Sequence, residues 1–256
     1  MPLPALFDTH CHLDAPEFDT TRQLVIDQAH AAGVSRIMVP AVALSNFAST
    51  IALRNQASCY IALGLHPVYL DQHLDAHLET LEQHIRQHRP EAVGEIGLDF
   101  WLPDLDPARQ EWLFSEQLKL ARRYDLPVLL HIRRAQDRVL KYLRQTPVCG
   151  GIAHAFNGSE QQAQAFIKLG FCLGFGGAMS YSGSTRIRSL AASLPLDALV
   201  LETDAPDIRP EWAQDRPNVP ANLPRFASIL AGLRHMDATE IALATTHNAC
   251  RVLQLS

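Results

Sequence analysis

Six residues of this chain could act together in one chemistry. They are His10 and His12 in "FDTHCHLD", Glu95 in "VGEIGLD", His131 in "LPVLLHIR", His154 in "GGIAHAF" and Asp204 in "ALVLETDAP". Residues two apart on an extended strand point to one face, so His10 and His12 aim at one spot if the first strand reaches them. An H-x-H pair alone is also an ordinary polar strand end, and a single strand-end histidine such as His131 or His154 can be a hydrogen-bonded structural group. Glu95 is harder to dismiss, because a charge inside an apolar run is costly unless it is paired or holds a metal. Four imidazoles and two carboxylates make a mixed nitrogen and oxygen donor set, suited to Zn, Mn, Co, Fe or Ni rather than Ca. The set exceeds what one tetrahedral ion needs, so two ions sharing a bridging carboxylate is the economical reading, with Glu95 the central candidate.

The apolar runs that end in these residues predict how they meet. "PALFDTH", "VSRIMVPAV", "CYIALGLHP", "EAVGEIGLD", "LPVLLHIR", "GGIAHAF", "FCLGFGG" and "ALVLETDAP" recur along the chain and suit strands buried on both faces of a parallel sheet. Between them lie helical patterns. In "DPARQEWLFSEQLKLARRYD", Asp106 is a candidate N-cap, Pro107 sits at the first helical position, and Phe114, Leu118 and Ala121 form an apolar stripe. Further helices are predicted over residues 20–32, 45–56, 74–88, 136–145, 160–169 and 185–193, with two more from Asn222 onward completing an outer ring. Eight strand-helix units without a Gly/Ser linker predict a single-domain (β/α)8 TIM barrel over residues 1–256, a doubly wound sheet being the alternative. Active sites of such barrels lie at the C-terminal strand ends, where the six residues would converge. The Pro-rich segment 206–224 reads as a long loop after the last strand.

Composition limits the function classes. With 47% hydrophobic and 19% charged residues the chain is an ordinary globular one. A net charge of −5 argues against a surface that traps nucleic acid everywhere, so any phosphate recognition must be local to the mouth. Cys11, Cys59, Cys149, Cys172 and Cys250 are scattered and never spaced C-x-x-C, which predicts neither a disulfide framework nor a thiolate zinc knuckle and fits a reducing cytoplasm. No signal-peptide pattern or membrane-length apolar run stands in the chain, so a soluble, cytoplasmic protein with no membrane contact and no obligate protein partner is expected.

In order, "DTHCHLD", "GLHP", "GEIGLD", "LPVLLHIRRAQD", "HAFNG" and "LETDAP" resemble the TatD family of metal-dependent hydrolases and deoxyribonucleases, within the amidohydrolase-like superfamily. "RPNVPAN" and "TTHNACRVL" are similar to that family's Asn-x-Pro loop and closing helix. The resemblance implies one or two divalent ions (Zn, Mn, Mg, Co or Ni), with His10, His12 and Asp204 on one, His131 and His154 on the other, and Glu95 between them. It implies hydrolysis of phosphodiester bonds in DNA, exonucleolytically, by a metal-activated water. Asp204 would orient that water and take its proton, and Glu95 would hold the ions. A metal-dependent hydrolase of carboxylic esters or amides, such as an aminoacyl ester on tRNA, is the alternative, and a binding module that merely retains its metals is a third reading.

Substrate contacts are expected from His66 in "GLHP", as a hydrogen-bond donor to phosphate, and from Arg133, which could pair with phosphate or with a nearby acid. Asn157 and Gly158 read as a turn. The pairs His73 with His77 and His84 with His88 are expected on a solvated helical surface, Cys11 is expected to face away from its neighbours, Asp8 to be a supporting acid, and Asp14 to lie past the strand end. "GLDFW" departs from the paired aromatics ending in tyrosine that many family members carry, and no aromatic-and-basic stacking platform is visible in the sequence.

Overall fold

A computed structural model describes residues 3–54 and 59–255. Its strands are β1 (Leu6–Asp8), β2 (Val34–Pro40), β3 (Cys59–Leu63), β4 (Ala92–Asp99), β5 (Val128–Arg133), β6 (Gly151–Ala153), β7 (Phe171–Phe175) and β8 (Leu199–Leu201). They pair in parallel in sequence order. Past the ends of β1 and β8 the ring closes through the backbone: Thr9 N donates to Leu201 O at 3.1 Å, Asp204 N to His10 O at 2.8 Å, and His12 N to Ala205 O at 2.8 Å. The architecture is the expected (β/α)8 barrel.

The helices are α1 (Arg22–Ala31), α2 (Phe47–Leu53), α3 (Ala76–His88), α4 (Pro107–Arg123), α5 (Gln136–Gln145), α6 (Glu160–Lys168), α7 (Thr185–Ser193), α8 (Leu223–Arg234) and α9 (Ala238–Val252). α5 and α7 have the predicted bounds. Asp106 caps α4 as expected, accepting from Ala108 N at 2.9 Å, and Phe114, Leu118 and Ala121 are buried. The helix predicted over 45–56 opens instead as a 3-10 turn, Leu44–Asn46, because Asn46 Oδ1 accepts from the backbone N–H of Val42 and Ala43 and holds a turn there. Its predicted end at residues 55–56 lies outside the described residues. No helix among the described residues is long and apolar enough to cross a membrane.

Strand alternation divides the core into two layers. Phe7, Met38, Ala62, Leu129, Ile152, Cys172 and Val200 point into the barrel, where Ala249, Val252 and Leu253 at the end of α9 pack against them. α9 was expected in the outer ring; its C-terminal end also seals the floor. Their neighbours Ile37, Val39, Leu63, Val128, Leu130 and Leu201 point outward into the layer shared with the helices. Each fully buried aliphatic or aromatic side chain contributes roughly 1.5–3 kcal/mol relative to exposure. The same alternation, carried two residues further, positions the mouth: Leu129 leads to His131, Ile152 to His154, and Val200 to Glu202 and Asp204. Glu95 does not follow this parity from Ala92, and the phase break is visible as a register irregularity of β4 between Val93 and Ile96.

Candidate metal centre

Glu95 lies at the middle of the mouth, and its two oxygens face different histidines. Oε2 is 3.1 Å from His10 Nε2 and 3.5 Å from His12 Nε2. Oε1 is 3.1 Å from His131 Nδ1, 3.2 Å from His66 Nε2 and 3.9 Å from His154 Nε2. Asp204 Oδ1 completes the first side, 3.8 Å from His10 Nε2 and 3.7 Å from His12 Nε2, and stands 3.9 Å from His154 Nε2. Asp204 itself is held in the left-handed region at φ 55°, a conformation that costs energy for a residue with a Cβ and that here sits at the point where β8 turns away from the mouth. All six residues predicted as ligands therefore meet at one place.

The donor atoms fit a cation. Ligands about 2.1 Å from a tetrahedral ion lie about 3.4 Å from one another. The nitrogens His10 Nε2 and His12 Nε2 are 3.3 Å apart and lie 3.1 and 3.5 Å from Glu95 Oε2 and 3.8 and 3.7 Å from Asp204 Oδ1, so His10, His12 and Glu95 form one candidate ligand group and His10, His154 and Asp204 another. Imidazole tautomers sharpen the fit. His154 Nδ1 is 3.1 Å from Glu202 Oε1, and His131 Nε2 is 3.1 Å from Asp99 Oδ2. With the outer N–H donated to each acid, a cation that displaces the inner proton would meet lone pairs on His154 Nε2 and His131 Nδ1, directed at Glu95 and Asp204. His66 is different: its Nδ1 accepts from Val68 N at 3.1 Å, so in the neutral ring Nε2 carries the proton and donates to Glu95 Oε1. That tautomer suits a hydrogen-bond donor to an anionic oxygen.

Asp99 and Glu202 are functional candidates that the sequence pattern did not single out. Both stand in the blocks that mark the site, "GEIGLD" and "LETDAP", and Glu202 shares the inward parity of Val200. Gly174 on β7 makes room for Glu202: a Cβ there would lie 2.0 Å from Glu202 Oε2. Glu202 Oε1 also accepts from Ala155 N, and Asp99 Oδ1 from Trp101 N at 2.9 Å, so both acids are anchored to backbone.

The protein's own charges polarise the cluster. Burial would raise Glu95, but His66, His10 and His131 overcome it and hold its carboxyl well below the usual range. Burial, aided by His154, lowers His10 to about 4, and burial lowers His66 to about 4. His154 is also buried, yet Asp204, Glu202 and Glu95 push it up to about 10. Asp204 rises to about 6, chiefly through burial, against the pull of His154 and His12. A dense anionic group surrounded by imidazoles has the character of a cation site.

The other predicted residues lie around this cluster. Arg133 is exposed, with Nη1 3.9 Å from Asp99 Oδ2. Asp14 Oδ2 is held by Asn46 Nδ2 at 2.7 Å and Thr50 Oγ1 at 2.8 Å, away from the donor cluster. Asp8 accepts from Thr203 N at 2.8 Å and from the Thr203 hydroxyl, supporting the seam between the first and last strands. Cys11 is buried in the bridge to Ala205. Asn157 takes Arg186 on its side-chain oxygen, and Gly158 sits against Phe156 and Gln162. His73 corrects the expected helix pair: α3 begins at Ala76, and His73 is buried before it, its Nε2 2.9 Å from His66 O. His84 and His88 are on α3 but half-buried, with His84 against Phe47 at 5.3 Å, rather than on a solvated face. The fold also brings together an aromatic and a basic residue that the sequence pattern does not place side by side. The β4–β5 register sets Asp99 beside Arg133, and the residues just beyond bring Arg134 over Trp101, with 3.8 Å from the guanidinium carbon to the ring centroid.

A (β/α)8 barrel with histidines and carboxylates converging at its C-terminal mouth defines a metal-dependent hydrolase. The family profile described as TatD related DNase matches residues 7–254, and the chain belongs to that family. It is 45% identical over 246 residues to the Escherichia coli K12 protein called uncharacterized metal-dependent hydrolase YjjV, covering 94% of this chain and 95% of that one. It is 31% identical over 261 residues to the 3'-5' ssDNA/RNA exonuclease TatD of Erwinia billingiae, covering 98% and 99%. The crystal structure of YjjV, a TatD homologue from Escherichia coli K12, superposes with a TM-score of 0.95 at 42% identity, covering 98% of both chains.

Proposed function

We propose that this chain, acting as one unit over residues 1–256, is a metal-dependent exonuclease that hydrolyses phosphodiester bonds at single-stranded DNA ends bound locally at the mouth. The observation that carries this reading is Glu95, whose Oε2 and Oε1 face separate nitrogen groups at 3.1 Å each, as a carboxylate shared by two cation positions must. His10, His12 and Asp204 would hold one ion and His131 and His154 the other, with Glu95 between them. Such ions supply a water acidified toward neutrality and positive charge at the phosphoryl oxygen.

The chain's own groups do the rest. Asp204, whose Oδ1 faces His10 and His12, would orient the attacking water and take its proton on a carboxylate oxygen. His66 donates from Nε2 to a non-bridging phosphate oxygen, and Arg133 pairs with a phosphate at the rim. Asp99 and Glu202 keep His131 and His154 in the tautomers that direct a lone pair inward. The five free cysteines support placement in a reducing cytoplasm.

The test is reconstitution with Mg, Mn, Co or Zn, followed by incubation with end-labelled single-stranded DNA and RNA beside a panel of carboxyl esters. Metal-dependent shortening of DNA from one end that disappears in Asp204→Asn is expected. Nuclease activity that persists in Asp204→Asn, or ester turnover without nuclease, would overturn the reading.

A further inference from the structure

The mouth has a wall that the hydrolytic chemistry leaves unexplained. A cavity of about 960 Å³ runs from Trp101 past His131, His154 and Asp204 to Arg186, so it is continuous with the metal centre. Its volume lies at the upper end of the roughly 300–1,000 Å³ of small-ligand pockets. Trp101 is 46% exposed, an unusual position for the largest apolar side chain. The Arg134 guanidinium carbon lies 3.8 Å from its ring centroid and that of Arg133 5.0 Å. Arg134 has a left-handed backbone, φ 55°, which a long side chain adopts at a cost.

At the far end Arg186 directs Nε and Nη2 onto the neutral Asn157 Oδ1, at 3.1 and 2.7 Å, and Gln136 Nε2 donates to Asn157 O. Among the described residues neither Arg134 nor Arg186 forms an ion pair, and Arg133 reaches only Asp99, which His131 also engages. Three guanidiniums thus keep most of their charge on one wall of a chain whose net charge is −5. Asp207 is the exposed acid lining the same cavity.

We propose that Trp101, Arg133, Arg134 and Arg186 form a nucleotide subsite that stacks a base of single-stranded nucleic acid on Trp101 and holds the adjoining phosphates with the arginines. This deepens the nuclease reading and rests on it. Arg134 already lies over the indole, so an incoming base stacks on the guanidinium that Trp101 backs, or takes its place on the ring. Unpaired guanidiniums bind phosphate bidentately. An internal duplex base is covered on both faces, so the wall takes only unpaired or terminal bases. Trp101 and Arg186 set that preference for strand ends and single strands over duplex interior while standing apart from the ligand cluster.

The experiment uses the full chain in the Asp204→Asn background with Mn²⁺, so that the probe is not consumed. Binding of fluorescein-labelled oligo-dT and of an abasic oligomer of equal length is measured by anisotropy across a salt series. Trp101→Ala is expected to weaken oligo-dT about tenfold or more while changing the abasic oligomer less than about twofold, with Trp101→Phe restoring most of the loss. Arg186→Ala is expected to weaken both and to reduce the slope of log Kd against log salt by about 0.7. Equal losses on the two oligomers in Trp101→Ala, or an unchanged salt slope in Arg186→Ala, would overturn the subsite. If the wild type cleaves DNA but Trp101→Ala leaves KM for oligo-dT unchanged, only the subsite fails. If the Asp204→Asn chain binds neither oligomer and the wild type turns over only esters, the nuclease reading fails with it.

Discussion

His131 and His154, on the Oε1 side of Glu95, each meet a carboxylate through the ring nitrogen that faces away from the cluster, at Asp99 and Glu202. His10 and His12, on the Oε2 side, are built otherwise. His10 Nδ1 is buried with no partner among the described residues, and His12 meets carboxylates only through Nε2. That side is positioned by backbone instead, through Asp204 N onto His10 O and His12 N onto Ala205 O. One half of the centre is therefore oriented by side-chain acids and the other by the seam that closes the barrel. If both halves hold metal as proposed, the two supports should fail differently.

The largest effect should come from the residue both halves share. Glu95→Ala removes the oxygens facing each group and is expected to lower kcat/KM by at least about 10³-fold, with metal analysis showing ions lost from both halves. Next, Glu202→Ala and Asp99→Ala free the rings of His154 and His131, and metal titration should show about 10–100-fold weaker binding on that half alone. Gly174→Ala should reproduce the Glu202→Ala result, since the added methyl occupies the place of its carboxylate. A uniform loss at both halves would erase the distinction between the two supports.

The seam should respond in stability rather than in affinity. Burial raises the Asp8 carboxyl to about 8, against the lowering effect of its bonds from Thr203. The folded chain then holds this proton more tightly than the unfolded chain does, so the contribution is full below about 4 and is lost as pH rises through about 8. Asp8→Asn is expected to flatten that part of the fall in melting temperature between pH 4 and pH 8 in metal-stripped protein, measured by calorimetry. The smallest effect belongs to a site outside the comparison: His84→Ala should leave metal content unchanged, because no candidate ligand group among the described residues includes it.

Much of this was legible in the residue order. Continuous apolar runs ending in polar residues predict both the barrel and the six-residue cluster, because strand alternation carries Leu129 to His131 and Ile152 to His154 without further information. The supporting acids were not legible, since an acid at a strand end looks the same whether it touches a histidine or solvent; only the β6–β7–β8 packing shows that Gly174 makes room for Glu202. The Trp101 and Arg134 stack depends on the β4–β5 register, which pairs residues over thirty positions apart and leaves no local pattern. His73 was misplaced for a local reason. Pro67 begins a 3-10 turn that runs to Gln72, so His73 ends that turn and the following helix starts three residues later.

Anomalous diffraction from crystals grown with Mn²⁺ tests the metal centre most directly. The expected result is a peak bounded by His10 Nε2, His12 Nε2, Glu95 Oε2 and Asp204 Oδ1. Manganese bound elsewhere, with no peak among those four atoms, would contradict it.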